Sequence, residues 1–86
     1  MPEISRFFGI VIQMYYDDHP PPHFHALYSG DEAQIAIEPI HVIQGELPAR
    51  ALSLVIEWAA LHQRELMDNW NLARQDQQPR KIQPLR

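Results

Sequence analysis

From Pro48 to about Arg74 the chain carries one apolar stripe uninterrupted by glycine or further proline, and this stretch constrains the fold more than any other. Leu52, Val55, Ala59, Leu66, Trp70 and Ala73 recur at helical steps, and Leu54, Trp58 and Leu61 widen the same face. The spacing predicts a single long helix over residues 48–74, with Pro48 in the first turn, where a missing N–H costs little. A helix that is apolar along one side needs a broad apolar surface to lie on. The segments before it supply one, at a period of two rather than 3.6.

Phe8, Ile10, Ile12, Met14 and Tyr16 alternate with Phe7, Gly9, Val11, Gln13 and Tyr15, which predicts one strand over about residues 5–16, with Gly9 marking a bulge or a close contact. Phe24, Ala26 and Tyr28 alternate with His23, His25 and Leu27 in a second strand over residues 23–28. Ser29-Gly30-Asp31-Glu32 is a turn signal, and Ala33, Ile35 and Ile37 open a third strand over residues 33–38. Pro39 interrupts it, and residues 40–43 suggest a short fourth strand before Gly45. Residues 75–86 form a polar, proline-containing tail in which Lys81–Leu85 packs loosely or adds an edge strand. The expected fold is α+β: a three- to four-stranded antiparallel sheet packed against one long C-terminal helix.

The chain has 86 residues, 45% of them hydrophobic and 21% charged, which fits one globular domain rather than a disordered chain. It holds no cysteine, so neither disulfides nor thiolate metal sites can support the fold. No apolar run approaches the roughly 18–20 residues that cross a bilayer. The opening Met1-Pro2-Glu3 lacks the basic start of a secretory signal, and the expected location is the cytoplasm. Seven Lys and Arg stand against eleven Asp and Glu, for a net charge of -4. Nucleic-acid binders usually present a basic surface, so RNA would have to meet a local patch or a basic partner.

Chemistry concentrates between Asp17 and His25. Three of the five histidines, His19, His23 and His25, lie there, separated by Pro20-Pro21-Pro22. The three prolines fix φ and remove backbone donors, which suggests a stiff, extended, polyproline-like loop holding His19 in place. His23 and His25 are two apart on a strand and leave the same face. Imidazole titrates near neutrality and serves as acid, base or metal ligand, and Asp17 and Asp18 can orient a tautomer or add an oxygen ligand. On the helix, Trp58, His62, Glu65 and Asn69 share one stripe, so His62 and Glu65 can form an acid/base pair or bind a metal. Should His62 face His23 and His25 across the sheet–helix interface, the three would make a nitrogen ligand set for zinc or nickel. No spacing matches a sequence-defined zinc site, and no cofactor is required. Each of these residues also has a plainer reading: histidines at strand ends bond to loop backbone, and His62 and Glu65 can simply satisfy each other. Arg6 and Arg50 are available cations, and Tyr28 is an aromatic surface for a substrate.

Met1-Pro2-Glu3-Ile4, Phe8-Gly9-Ile10, Met14-Tyr15, Asp18-His19 and the distinctive Pro21-Pro22-His23-Phe24-His25-Ala26 resemble a bacterial family, domain of unknown function 4160. The resemblance continues through Gly45-Glu46-Leu47-Pro48, Glu57-Trp58, His62, Glu65-Leu66 and Asn69-Trp70, nearly the whole chain. Genes of that family often stand beside a second small family, domain of unknown function 2442, which implies the toxin-type partner of a toxin–antitoxin module. The family brings no catalytic residues with it. The leading expectation is therefore a toxin-like protein acting on RNA or another phosphate-bearing target, with a small cognate protein as partner. A metal-independent ribonuclease-like reaction needs a base, an acid and a cation, for which His19, His23, His25, His62, Asp18 and Glu65, with Arg6 and Arg50, are the candidates. The alternative is a non-catalytic module that binds a protein or a divalent metal and whose histidines are structural. Homo-oligomerisation is compatible with either.

Overall fold

The computed structural model describes residues 3–86; Met1 and Pro2, which begin the family resemblance and bear on targeting, lie outside the described residues. Five strands form a meander in which each pairs antiparallel with the next: β1 (Glu3–Phe7), β2 (Ile10–Gln13), β3 (His23–Tyr28), β4 (Asp31–Ile37) and β5 (Ile40–Gly45). Two helices follow, α1 (Ala49–Leu61) and α2 (Gln63–Arg74). The α+β class holds, with more strands than the sequence suggested and a helix divided in two. No helix among the described residues is long and apolar enough to cross a membrane.

The strand expected over residues 5–16 is a hairpin. Phe7 pairs with Ile10, and Phe8 and Gly9 between them take φ of 50° and 79°. Two successive positive φ values make the tight turn whose twist matches that of the flanking strands. Glycine accepts this freely. An aromatic residue does so at a cost on the order of 1 kcal/mol or more, which is why period two alone read straight through it. The same turn recurs where Tyr28 pairs with Asp31 across Ser29 and Gly30. At the far end of the sheet Gly45 is obligatory: its φ is positive, and a Cβ there would clash with the Glu32 carbonyl oxygen.

The helix breaks at His62, whose φ of -123° leaves the helical region and whose N–H is shared between the Trp58 and Ala59 carbonyls. Neither glycine nor proline marks the break. It allows α1 to lie on one face of the sheet while α2 crosses the end where β2 finishes, β3 begins and β4 finishes. Ala51, Val55, Trp58 and Ala59 of α1 are buried, and the Trp58 ring packs 5.4 Å from Phe7 and 5.8 Å from Phe24. From α2, Gln63 donates to the Ile37 carbonyl, and the Ala73 carbonyl accepts from Asp17 N–H. The tail is anchored despite having no regular structure. Ile82 and Leu85 are buried, Ile82 N–H donates to the Ile4 carbonyl, Trp58 Nε1–H donates to Gln83, and the Asn69 side chain both donates to and accepts from Arg80. The Ile82 bond occupies one carbonyl of the β1 edge, which partly blunts pairing with other chains.

Candidate functional site

Alternation along β3 sends Phe24 and Ala26 toward α1 and the main core, and it sends His23 and His25 to the opposite face. Both rings are nonetheless buried, at 4% and 5% exposure. Trp70 of α2 reaches around the sheet end to lie 5.4 Å from His23, and Tyr15 lies 4.2 Å from His25. The segment before β3 is folded rather than extended: a turn at Tyr16-Asp17, with Asp17 at φ 52°, and a bend at Pro20-Pro21 replace the polyproline-like spacer. This folding brings Asp18 back over the two imidazoles.

One oxygen, Asp18 Oδ2, lies 3.1 Å from His23 Nε2 and 3.1 Å from His25 Nε2. The other faces of the rings are already committed. His23 Nδ1 is 2.8 Å from the Pro21 carbonyl, and His25 Nδ1 is 2.8 Å from Glu32 Oε2. A carbonyl and a carboxylate can only accept, so each Nδ1 must carry a proton. A neutral imidazole has one N–H, so both Nε2 atoms then present lone pairs to a carboxylate oxygen that also has only lone pairs. With both rings neutral, acceptor would face acceptor at each contact. The His25 Nε2 contact has hydrogen-bond geometry and needs a proton or a cation between the two atoms, whereas the contact at His23 lacks that alignment and its Nε2 is buried with no partner. The arrangement is satisfied by added positive charge at the shared point, either protons on Nε2 or a cation. No Lys or Arg among the described residues lies within ion-pair distance of Asp18 or Glu32.

Burial of Asp18 pushes its carboxyl up. The hydrogen bond with His25, the His19 N–H at 2.8 Å and the two nearby imidazoles outweigh this and hold it below the usual carboxylate range. Asp18, His23 and His25 each offer a ligand atom, and the three atoms lie within 4.8 Å of one another.

The remaining sequence candidates are placed elsewhere. His19 gives Asp18 its backbone N–H, and its ring is in the exposed part of the loop. His62 stacks 5.6 Å from Trp58 at the α1–α2 junction and bonds to Glu65 at 2.6 Å, so the ligand set of His23, His25 and His62 is not assembled. The reason is alternation: the helix covers one face of β3 and the imidazoles occupy the other. Arg6 is paired with Glu3 at 2.8 Å on β1. Arg50 and Tyr28 line a cleft with Phe8 and Leu54. Tyr15 is legible in the sequence as aromatic surface near this end of the sheet, but Glu32 escapes the sequence reading as a member of the cluster. A two-residue turn at Ser29-Gly30 would have placed Glu32 opposite Leu27 and diagonal to His25, so the hairpin register was the available signal.

A family model, Domain of unknown function (DUF4160), matches residues 9–71, a span that includes the whole Asp18–His23–His25 cluster. No curated protein and no solved structure matches the chain.

Proposed function

The chain belongs to the family Domain of unknown function (DUF4160), a membership that names no chemistry, and we propose from the geometry that the domain is a divalent-metal-binding module. Asp18, His23 and His25 are the ligands. The observation that carries this reading is the convergence of two Nε2 atoms on one carboxylate oxygen, with His23 Nδ1 bonded to the Pro21 carbonyl and His25 Nδ1 to Glu32. Metal-bound histidines characteristically donate their second N–H to a carbonyl or carboxylate, which fixes the tautomer and the ring. His23 does so to Pro21 and His25 to Glu32. Bonds of about 2.0–2.2 Å to nitrogen and oxygen set neighbouring donors about 2.8–3.1 Å apart in an octahedral shell and about 3.3–3.6 Å apart in a tetrahedral one; the 3.1 Å found here falls within the octahedral span and slightly short of the tetrahedral one. Two imidazoles and a carboxylate suit zinc or nickel, and a divalent charge offsets the two carboxylates of the cluster.

Metal titration of protein purified without an affinity tag tests the reading. One equivalent of zinc or cobalt should bind by calorimetry, cobalt giving visible ligand-field bands, and Asp18→Asn or His23→Leu should lose both. A wild-type chain that binds neither ion at micromolar concentrations refutes it.

A second reading rests on one further observation: the Asp18 side chain is 20% exposed, so an ion held there borders solvent. Three protein ligands with a position left for water are the pattern of a catalytic rather than a structural site, and a bound ion lowers the pKa of its water and polarises a phosphoryl oxygen. This supports a toxin-like component of a two-gene module, acting in the cytoplasm on RNA or another phosphate-bearing target and held in check by a small cognate protein. The metal would supply the positive charge that a metal-independent reaction lacks here, because Arg6 is paired on β1 and Arg50 lies beyond Tyr28. Expression should arrest growth, co-expression of the neighbouring gene should relieve it, and His23→Leu should abolish it. Metal binding without growth arrest would retain the first reading and remove this one.

A further inference from the structure

The cleft at the opposite end of β3 from the histidines has a chemistry of its own. Its volume is about 160 Å³, and Phe8, Ile10, Tyr28 and Leu54 form its apolar walls. Phe8 is 61% exposed at the rim and is the residue held at φ 50° in the β1–β2 turn. A large aromatic in a left-handed conformation, set out into water, is unfavourable on both counts, and such outliers concentrate where structure serves binding. Arg50 stands at the mouth. Its backbone carbonyl accepts from Ser53, but no carboxylate lies within ion-pair distance of its guanidinium among the described residues. The first turn of α1 beside it contains no acidic residue. In a chain with a net charge of -4, this mouth pairs an apolar hollow with an uncompensated positive charge.

We propose that the cleft docks an acidic peptide segment of a partner protein, one large apolar side chain filling the hollow and a neighbouring carboxylate meeting Arg50. Charge selects the occupant. A basic or neutral segment would leave the exposed Arg50 without a counter-ion, whereas an acidic one gains a guanidinium–carboxylate pair. The volume is that of a single large side chain rather than a helix face, so the contact is an anchor within a wider interface. Nothing here depends on the metal: Tyr28 lies three residues along the strand from His25, about 10 Å at the rise of an extended chain, and alternation puts it on the opposite face of β3 from the imidazoles.

The test is an ¹⁵N–¹H titration of the full chain with three capped nine-residue peptides. The first carries a central phenylalanine flanked by aspartates and glutamates, the second replaces the acids by lysines, and the third replaces the phenylalanine by alanine. Saturable shifts should appear at Phe8–Ile10, Tyr28 and Arg50–Leu54 with the first peptide, and the other two should bind at least tenfold more weakly. Arg50→Glu should invert the charge preference. Phe8→Asn, which suits the positive φ, should weaken the first peptide at least tenfold while leaving Tm unchanged or higher and zinc binding intact. Absence of saturable shifts to millimolar peptide, equal binding of the acidic and lysine peptides, or a preference unmoved by Arg50→Glu would each overturn the proposal. A large fall in Tm for Phe8→Asn would assign Phe8 to the fold instead, with the same consequence.

Discussion

Replacing Glu32 by alanine separates a metal-orienting role from a stabilising one. Glu32 Oε2 accepts from His25 Nδ1–H at 2.8 Å, yet its side chain is 46% exposed. In metal-free protein a pair so open to solvent is worth at most about 1 kcal/mol. At about 4–8 °C per kcal/mol for a domain of this size, Tm should fall by less than about 8 °C. Metal affinity should suffer much more, because loss of the group that orients a ligating histidine typically costs about 10- to 100-fold, or about 1.4–2.8 kcal/mol. At a free metal concentration of about 100 times the wild-type Kd, binding stabilises the wild type by about 2.7 kcal/mol. The same concentration is then only about one to ten times the variant's Kd, which stabilises it by about 0.4–1.4 kcal/mol. Differential scanning calorimetry with and without zinc, alongside isothermal titration, reads both quantities. A variant that keeps the full metal-induced rise in Tm refutes the idea that Glu32 orients His25. A variant that loses as much stability without metal as with it makes the pair purely structural.

Three further outcomes follow from the geometry. His23→Leu removes a buried nitrogen that has no partner and also the Nδ1–H given to the Pro21 carbonyl, while roughly keeping the volume, so metal-free stability should fall by no more than about 2 kcal/mol by urea titration while zinc binding is lost. Alanine at the same position would add a cavity cost of about 2 kcal/mol or more and obscure the result. Trp58→Phe removes the indole hydrogen bond to Gln83 and underfills a fully buried site; it should cost about 2–3 kcal/mol and speed tryptic cleavage at Arg80 and Lys81. With acid the sign is fixed by Asp18, whose folded carboxyl titrates below its unfolded value. Its contribution is therefore full above an ordinary carboxylate pKa of about 4 and is lost as pH falls through the lower folded value. The Tm difference between wild type and Asp18→Asn in metal-free protein should accordingly shrink below about pH 4.

What the sequence determined is whatever depends on near neighbours along the chain. Period two in Ile10–Gln13 and His23–Tyr28 set strands whose side chains alternate between faces, and this alone put His23 and His25 side by side. The helical stripe in residues 48–74 set an amphipathic cover, and the His-rich stretch beside Asp18 identified where polar chemistry would gather. Tertiary structure decided the rest, because each remaining feature depends on contacts between distant segments or on backbone states that side-chain patterns do not encode. Phe8 reverses the chain where its alternation reads as continuous strand, and His62 breaks a helix that neither glycine nor proline interrupts, because the two halves must reach a face and an end of the same sheet. That break sends His62 to Trp58 and Glu65, while the opposite face of β3 takes His23 and His25 to Asp18 from a folded loop and to Glu32 from the next strand. Which imidazoles share a carboxylate was settled by the side of the sheet that the helix covers, a choice made by packing.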